Sequence, residues 1–148
     1  MSKKSSTKSR IIFWGIMAAG IYGVTKFIKK QKNRLLPNFQ GEQYMYSFAD
    51  KNIVKGEGES VNNMRLINSF SSMSVDISKA EITSDVSIEL DNVFSNVMLA
   101  VPEGINVKVD CSGKGSIVTP ETSYEEVPTI YISGKNHYSS LNVFVKNE

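Results

Sequence analysis

Phe70-Ser71-Ser72-Met73-Ser74-Val75-Asp76-Ile77 recurs as Phe94-Ser95-Asn96-Val97-Met98-Leu99-Ala100-Val101, and again as Tyr138-Ser139-Ser140-Leu141-Asn142-Val143-Phe144-Val145. Each copy runs aromatic, Ser, small polar, then apolar at every second position. The second copy begins 24 residues after the first and the third 44 after the second, while Lys114-Gly115-Ser116-Ile117 stands 20 after Phe94 as a degraded fourth. Alternation at period two gives one buried and one wet face, the pattern of a half-buried strand. A strand-bearing repeat of roughly 20–25 residues points to stacked rungs that bury one another's apolar faces.

The same alternation extends outward from these copies. Val86, Ile88 and Leu90 alternate with Ser87, Glu89 and Asp91, and Ile105, Val107, Val109 and Cys111 alternate with Asn106, Lys108 and Asp110. Ile130 with Ile132 completes the apolar set. Turn signals separate the segments at Pro102-Glu103-Gly104, Ser112-Gly113-Lys114-Gly115, Thr119-Pro120 and Ser133-Gly134-Lys135-Asn136. No helical stripe is sustained after Leu66. The spacing predicts a small all-β domain over residues 66–148, stacked in the manner of a solenoid or a sandwich. Residues 29–65 read as a juxtamembrane linker, within which Tyr44, Tyr46 and Phe48 alternate as a short edge strand would.

The head of the chain is of a different kind. Residues 1–10 form a basic tail, and residues 11–28 an apolar run that predicts one transmembrane helix. The run carries no charge for 14 residues from Ile11 to Val24. Eighteen residues of helix reach about 27 Å, close to the ~30 Å of hydrocarbon. Lys3, Lys4, Lys8 and Arg10 flank one end, and Lys26, Lys29, Lys30, Lys32 and Arg34 the other. Those nine are the only charges before Glu42. The run ends in Lys-Phe-Ile-Lys-Lys, which suits a stop better than the small-residue site at which a signal peptide is cut. The basic flanks should meet anionic lipid headgroups. Four basic residues against five leave orientation near a tie, leaning weakly towards a cytoplasmic body. Gly15, Ala19 and Gly23 share one helix face at four-residue spacing, the pattern of a close helix–helix contact with a second copy or another membrane helix.

Beyond Arg34 the chain holds 8 Lys or Arg against 15 Asp or Glu, so the β domain is acidic and would repel nucleic-acid phosphates. Reactive residue types are scarce. Cys111 is the only cysteine and His137 the only histidine, too few for a two-histidine metal site, a zinc knuckle or an intrachain disulfide. Cys111 continues the inward parity of Val107 and Val109, which suits a buried inert thiol rather than a nucleophile paired with His137. Ser112-Gly113-Lys114-Gly115-Ser116 lacks the spacing of a phosphate loop and reads as a hairpin turn. Glu125 and Glu126 have no calcium-loop spacing around them. No catalytic, cofactor-binding or metal-binding residue is expected, and no cofactor.

The segments Phe70–Ile77, Phe94–Val101 with its continuation Pro102-Glu103-Gly104-Ile105-Asn106-Val107, and Tyr138–Val145 resemble the C-terminal domain of the LiaF-like family, membrane proteins of the bacterial cell-wall-active antibiotic response. The likeness covers Ser69 to Lys146. Ser71, Ser95 and Ser139 stand where that family carries glycine after the aromatic, which puts tight turns there in question. Family members also carry several membrane helices, where this chain offers one. The resemblance implies a membrane-tethered β domain that regulates an envelope-stress response by contacting a membrane or signalling protein. A self-assembling structural protein, with rung ends stacking chain on chain, is the alternative.

Overall fold

A computed structural model describes residues 18–27, 29–30 and 33–147. The chain divides into two compact units, Met1–Leu36 and Pro37–Glu148. In the first unit, residues 18–27 and 29–30 are helical. Thr25 Oγ1 donates back one turn to the Ile21 carbonyl at 2.7 Å, and the Lys26 ammonium lies 5.5 Å from the centre of the Tyr22 ring. No helix among the described residues is long and apolar enough to cross a membrane. The span expected over 11–28 falls partly outside those residues, at 11–17 and 28.

The second unit is a parallel β-solenoid of five coils. Its ten strands are β1 (Glu42–Ser47), β2 (Lys51–Val54), β3 (Met64–Ser69), β4 (Ser72–Asp76), β5 (Val86–Val93), β6 (Asn96–Val101), β7 (Asn106–Ser112), β8 (Ser116–Val118), β9 (Thr129–His137) and β10 (Ser140–Val145). Odd strands form sheet A in the order β1-β3-β5-β9-β7, and even strands sheet B in the order β2-β4-β6-β10-β8. Every pairing is parallel. Each coil therefore gives one strand to each sheet. In space the coils follow the order 1-2-3-5-4: the C-terminal coil is inserted between the third and the fourth. This order explains the repeat offsets. Coil 3 stacks directly on coil 2, 24 residues on, but the level after coil 3 is filled 44 residues later.

The alternating apolar positions face between the sheets. Met73, Val75 and Ile77, then Val86, Ile88 and Leu90, then Val97, Leu99 and Val101, then Ile130, Ile132, Leu141 and Val143 are all buried in one cluster, with Val109, Cys111 and Val145 packed at its edge. Neighbouring coils place like residues in register, such as Val75 beside Leu99 and Leu99 beside Val143. Each rung thus covers the next, which a single strand pair could not do for itself.

Three expectations need correction. The β structure begins at Glu42, so the stretch 29–65 expected as a linker contains all of coil 1. Its alternation is muted because this is an end rung: the positions that pair with Met64, Leu66 and Asn68 hold Glu42, Tyr44 and Tyr46, not aliphatic residues. Lys55 pairs with Glu42 at 2.7 Å, and the Tyr44 hydroxyl donates to the same carboxylate. Burial works against ionisation of Glu42, but the Lys55 and Tyr44 hydrogen bonds outweigh it and hold its pKa below the usual range. Burial, then the hydrogen bond to Glu42, pushes the Tyr44 phenol up to about 12. Ser112–Ser116 is not a hairpin turn, since β7 and β8 belong to different sheets; it is a corner. Ser133-Gly134-Lys135-Asn136 is not a turn either, and lies within β9. Gly134 is required there at φ 127°, because a Cβ would stand 2.0 Å from the Leu90 carbonyl oxygen.

Candidate interaction surface

The repeated aromatic makes this corner between the sheets in coils 1, 2, 3 and 5. Phe48, Phe70, Phe94 and Tyr138 all have positive φ, between 47° and 57°, a conformation that costs a bulky residue steric strain. The turn expected to need glycine is kept, with the strain placed on the aromatic. Stacking offsets it: successive ring centroids lie 5.2 Å apart, with interplanar angles of 2°, 16° and 9°. The serines that replace glycine hold the coils together. Ser71 N–H donates to Ser95 Oγ at 3.1 Å and Ser95 N–H to Ser139 Oγ at 3.0 Å. Each acceptor hydroxyl then donates to the carbonyl two residues back, Ser95 to Val93 and Ser139 to His137.

Two residues before Phe70, Phe94 and Tyr138, Asn68, Asn92 and Asn136 form a second, buried ladder under the corner. Asn92 Nδ2 donates to Asn136 Oδ1 at 2.9 Å and to the Ser140 carbonyl at 3.2 Å, while Asn68 Nδ2 reaches Asn92 Oδ1 at 3.4 Å. Asn136 Nδ2 continues to the Ser116 carbonyl at 3.0 Å. Sequence reasoning missed this ladder. Its signal was present, because the asparagines share the repeat's offsets and precede its aromatic by two positions.

The two outer faces differ in chemistry. Sheet A carries charge: Arg65 pairs with Glu89 on the neighbouring coil, Lys108 lies over the Tyr131 ring at 5.8 Å, and Asp110 is exposed. Sheet B is nearly without it. Register aligns Ser72, Asn96, Ser140 and Ser116 in one row. Asn52, Ser74, Met98, Asn142 and Val118 form the next row, and Val54, Asp76, Ala100 and Phe144 the third. Met98, Val118 and Val54 are exposed and Phe144 half-buried. The one charge in these three rows, Asp76, is bound by Lys146 at 2.6 Å and by the Ser78 hydroxyl, which hold its pKa down at about 2. Between the aromatic ridge and the first row runs an open groove of about 510 Å³, lined by Phe94, Tyr138, Lys114, Ser139 and Ser140 among others.

The open edges of the stack are unequal. β7 is an edge strand, but Thr122 Oγ1 accepts the Val107 N–H at 2.8 Å, and Asn106 exchanges two hydrogen bonds with the Tyr124 backbone. The loop thus occupies a backbone donor that would otherwise invite another strand. β8 is three exposed residues at the edge of sheet B.

Other residues singled out by sequence fall away from these features. Burial, then Asp110, pushes the Cys111 thiol up, the opposite of an activated nucleophile. His137 ends β9, and Glu125 and Glu126 are exposed in the loop before it. Among the described residues no group of three or more His, Cys, Asp or Glu is placed to hold a metal. Ala19 and Gly23 are exposed on the N-terminal helix, with nothing within 4 Å of where a Gly23 Cβ would stand. Lys26, Lys29 and Lys30 are exposed and Arg34 half-buried. Gly15, Lys3, Lys4, Lys8, Arg10 and Lys32 lie outside the described residues. Comparison of the chain with protein-family models, curated proteins and solved structures finds no match.

Proposed function

We propose that this chain is a membrane-tethered interaction protein whose solenoid docks another protein on the outer face of sheet B. The carrying observation is the contrast between the faces. Sheet B offers a broad strand surface of Ser and Asn with exposed Met98 and Val118, beside an aromatic ridge, while the outer side of sheet A carries Arg65, Glu89, Lys108, Asp110 and Lys135 beside a buried patch at Ile67 and Ser69. Depletion of charge, with aromatic rings and a methionine exposed, matches the centre of an interface. The tether is the basic-flanked apolar run 11–28, which would hold the solenoid near lipid, with the weak charge excess favouring the cytoplasmic side. The resemblance of the repeats to LiaF-like proteins points to an envelope-stress partner such as a membrane or signalling protein. Binding is favoured over catalysis because the thiol is deactivated and, among the described residues, no acid–base cluster lines the groove. Self-assembly is the second reading, supported by the exposed edge of β8.

The test is photo-crosslinking in intact cells from single positions. A photo-reactive residue replacing Met98 should give a discrete protein adduct, and one replacing Ser133 on the outer face of sheet A should give none. Adducts from Ser133 alone would place the partner on the charged face and refute the proposal. An adduct of twice the chain's own mass would favour self-assembly.

A further inference from the structure

We infer that the level of the aromatic ridge left empty by coil 4 is a slot for an aromatic side chain on an extended segment of a partner polypeptide. This deepens the docking proposal above, and names what the groove beside sheet B receives.

The ridge sets the dimensions. Its rings repeat every 5.2 Å and stay within 16° of parallel. Phe94 covers one face of Tyr138. Beyond the other face lies coil 4, where the Tyr138 N–H donates to the Lys114 carbonyl at 2.7 Å and Ser140 pairs with Ser116. The corner there is one residue shorter. It runs from Ser112, the partner of Lys135, to Ser116, the partner of Ser140. No aromatic stands in it. Gly115 cannot gain a side chain, because a Cβ would lie 2.4 Å from Asn136 Nδ2 and 2.6 Å from the Asn136 carbonyl oxygen. Tyr138 is 61% exposed, the most of the four ridge rings, against 44% for Phe70 and 52% for Phe94, which are stacked on both faces. The groove, which runs along the ridge from Ser71 and Phe94, reaches this level, with Lys114, Gly115 and Ser116 among its walls.

The occupant follows from the same geometry. A flat ring continues the offset stack on Tyr138 and covers a face that an aliphatic group would cover only in part. The neighbouring backbone suits a peptide. Parallel pairing turns Ser116 and Val118 towards β10 and leaves Ile117 facing the open edge of sheet B, where an extended segment can lie alongside β8.

The experiment uses the full chain with its tyrosine rings labelled with ¹³C and its amides with ¹⁵N, titrated with N-acetyl-tryptophan amide to tens of millimolar. The Tyr138 ring signal and the Gly115 and Ser116 amides should shift together and saturate, while the exposed rings of Tyr124 and Tyr131 should not. Tyr138→Asn keeps a residue that tolerates the left-handed corner and should abolish the shifts. Tyr138→Phe, which keeps the ring, should retain the amide shifts. No Tyr138 response, an equal response at all three tyrosines, or shifts that survive Tyr138→Asn would each overturn the slot. A chain already self-associated, with its Tyr138 ring shielded before any probe is added, would make a second copy the occupant and overturn the assignment to a partner. Adducts from Met98 in cells without a Tyr138 response would remove the slot and leave the docking face standing.

Discussion

Replacing Asn92 with alanine should destabilise the solenoid more than the same change at Asn68 or Asn136. Asn92 is fully buried at the middle of the ladder, donating to Asn136 Oδ1, to the Ser140 carbonyl and, at 3.5 Å, to the Ser95 carbonyl. Its own Oδ1 accepts from Asn68. Alanine removes all four contacts and leaves Asn136 Oδ1 buried without that donor. An orphaned buried polar group costs ~1–3 kcal/mol, and partial loss at the other partners brings the sum to about 3 kcal/mol. With an unfolding entropy of ~2.1 cal/mol/K per residue over a unit of a little over a hundred residues, that loss lowers the midpoint by roughly 12 °C. Asn92→Asp should be at least as damaging, since it turns the donor that faces Asn136 Oδ1 into an acceptor. Asn142→Ala, on the outer face of sheet B, serves as the control and should move the midpoint by less than ~2 °C. The assay is thermal unfolding followed by near-ultraviolet circular dichroism. A shift at Asn92 no larger than that of the control would refute the ladder as a structural element.

Other outcomes follow from the same geometry. Asp76 has its pKa lowered to about 2 by Lys146 and Ser78 from an ordinary value of 3.8, so its contribution is fully present above pH ~4 and is lost as pH falls through about 2. Asp76→Asn should therefore flatten the fall of the thermal midpoint between pH 5 and 2, and an unchanged slope would mean that the Lys146 contact does not persist in solution. Gly134→Ala should lower the midpoint severely, because its Cβ would meet the Leu90 carbonyl oxygen at 2.0 Å in a backbone conformation with φ 127°; a tolerated alanine would show that β9 is not seated against β5. Gly15→Leu with Gly23→Leu should weaken helix–helix crosslinking in membranes, and unchanged crosslinking would show that this face is not an interface.

The inward parity of the middle coils was legible because Val75, Val97 and Leu99 each have a buried partner on both sides: Ile53 and Leu99, Met73 and Leu141, Val75 and Val143. That cover lets all of them be apolar. The end rung was legible only as the edge strand that Tyr44 and Tyr46 mark, and the rest of it was hidden for the converse reason. Glu42, Tyr44 and Tyr46 close the stack against water, so their polarity hides the period. Gly134 and Asn136 imitate a turn in sequence, yet the first is demanded by the Leu90 backbone and the second by the ladder. The order of coils was the least legible feature. The offset of 44 records that the chain lays down coil 4 first and returns beneath it, but nothing local in β7 or β9 says which lies against β5. Of the candidate surface, Met98 and Phe144 could be assigned an outward parity. Their alignment with Val118 could not, since it depends on that coil order.

The order of coils is also where the account is tested most directly, because it assembles both the docking face and the empty ring level. In a Cys111→Ser background, Met98→Cys with Asn142→Cys places the pair on adjacent strands β6 and β10. Met98→Cys with Val118→Cys places it on strands separated by β10. Neighbouring strands lie ~4.8 Å apart and next-nearest ones about 9.6 Å, while a disulfide needs Cα atoms within ~7 Å. Under mild oxidation the account predicts a disulfide for 98 with 142 and none for 98 with 118. A disulfide between 98 and 118, with 98 and 142 left free, would show that coil 4 stacks directly on coil 3 and would contradict it.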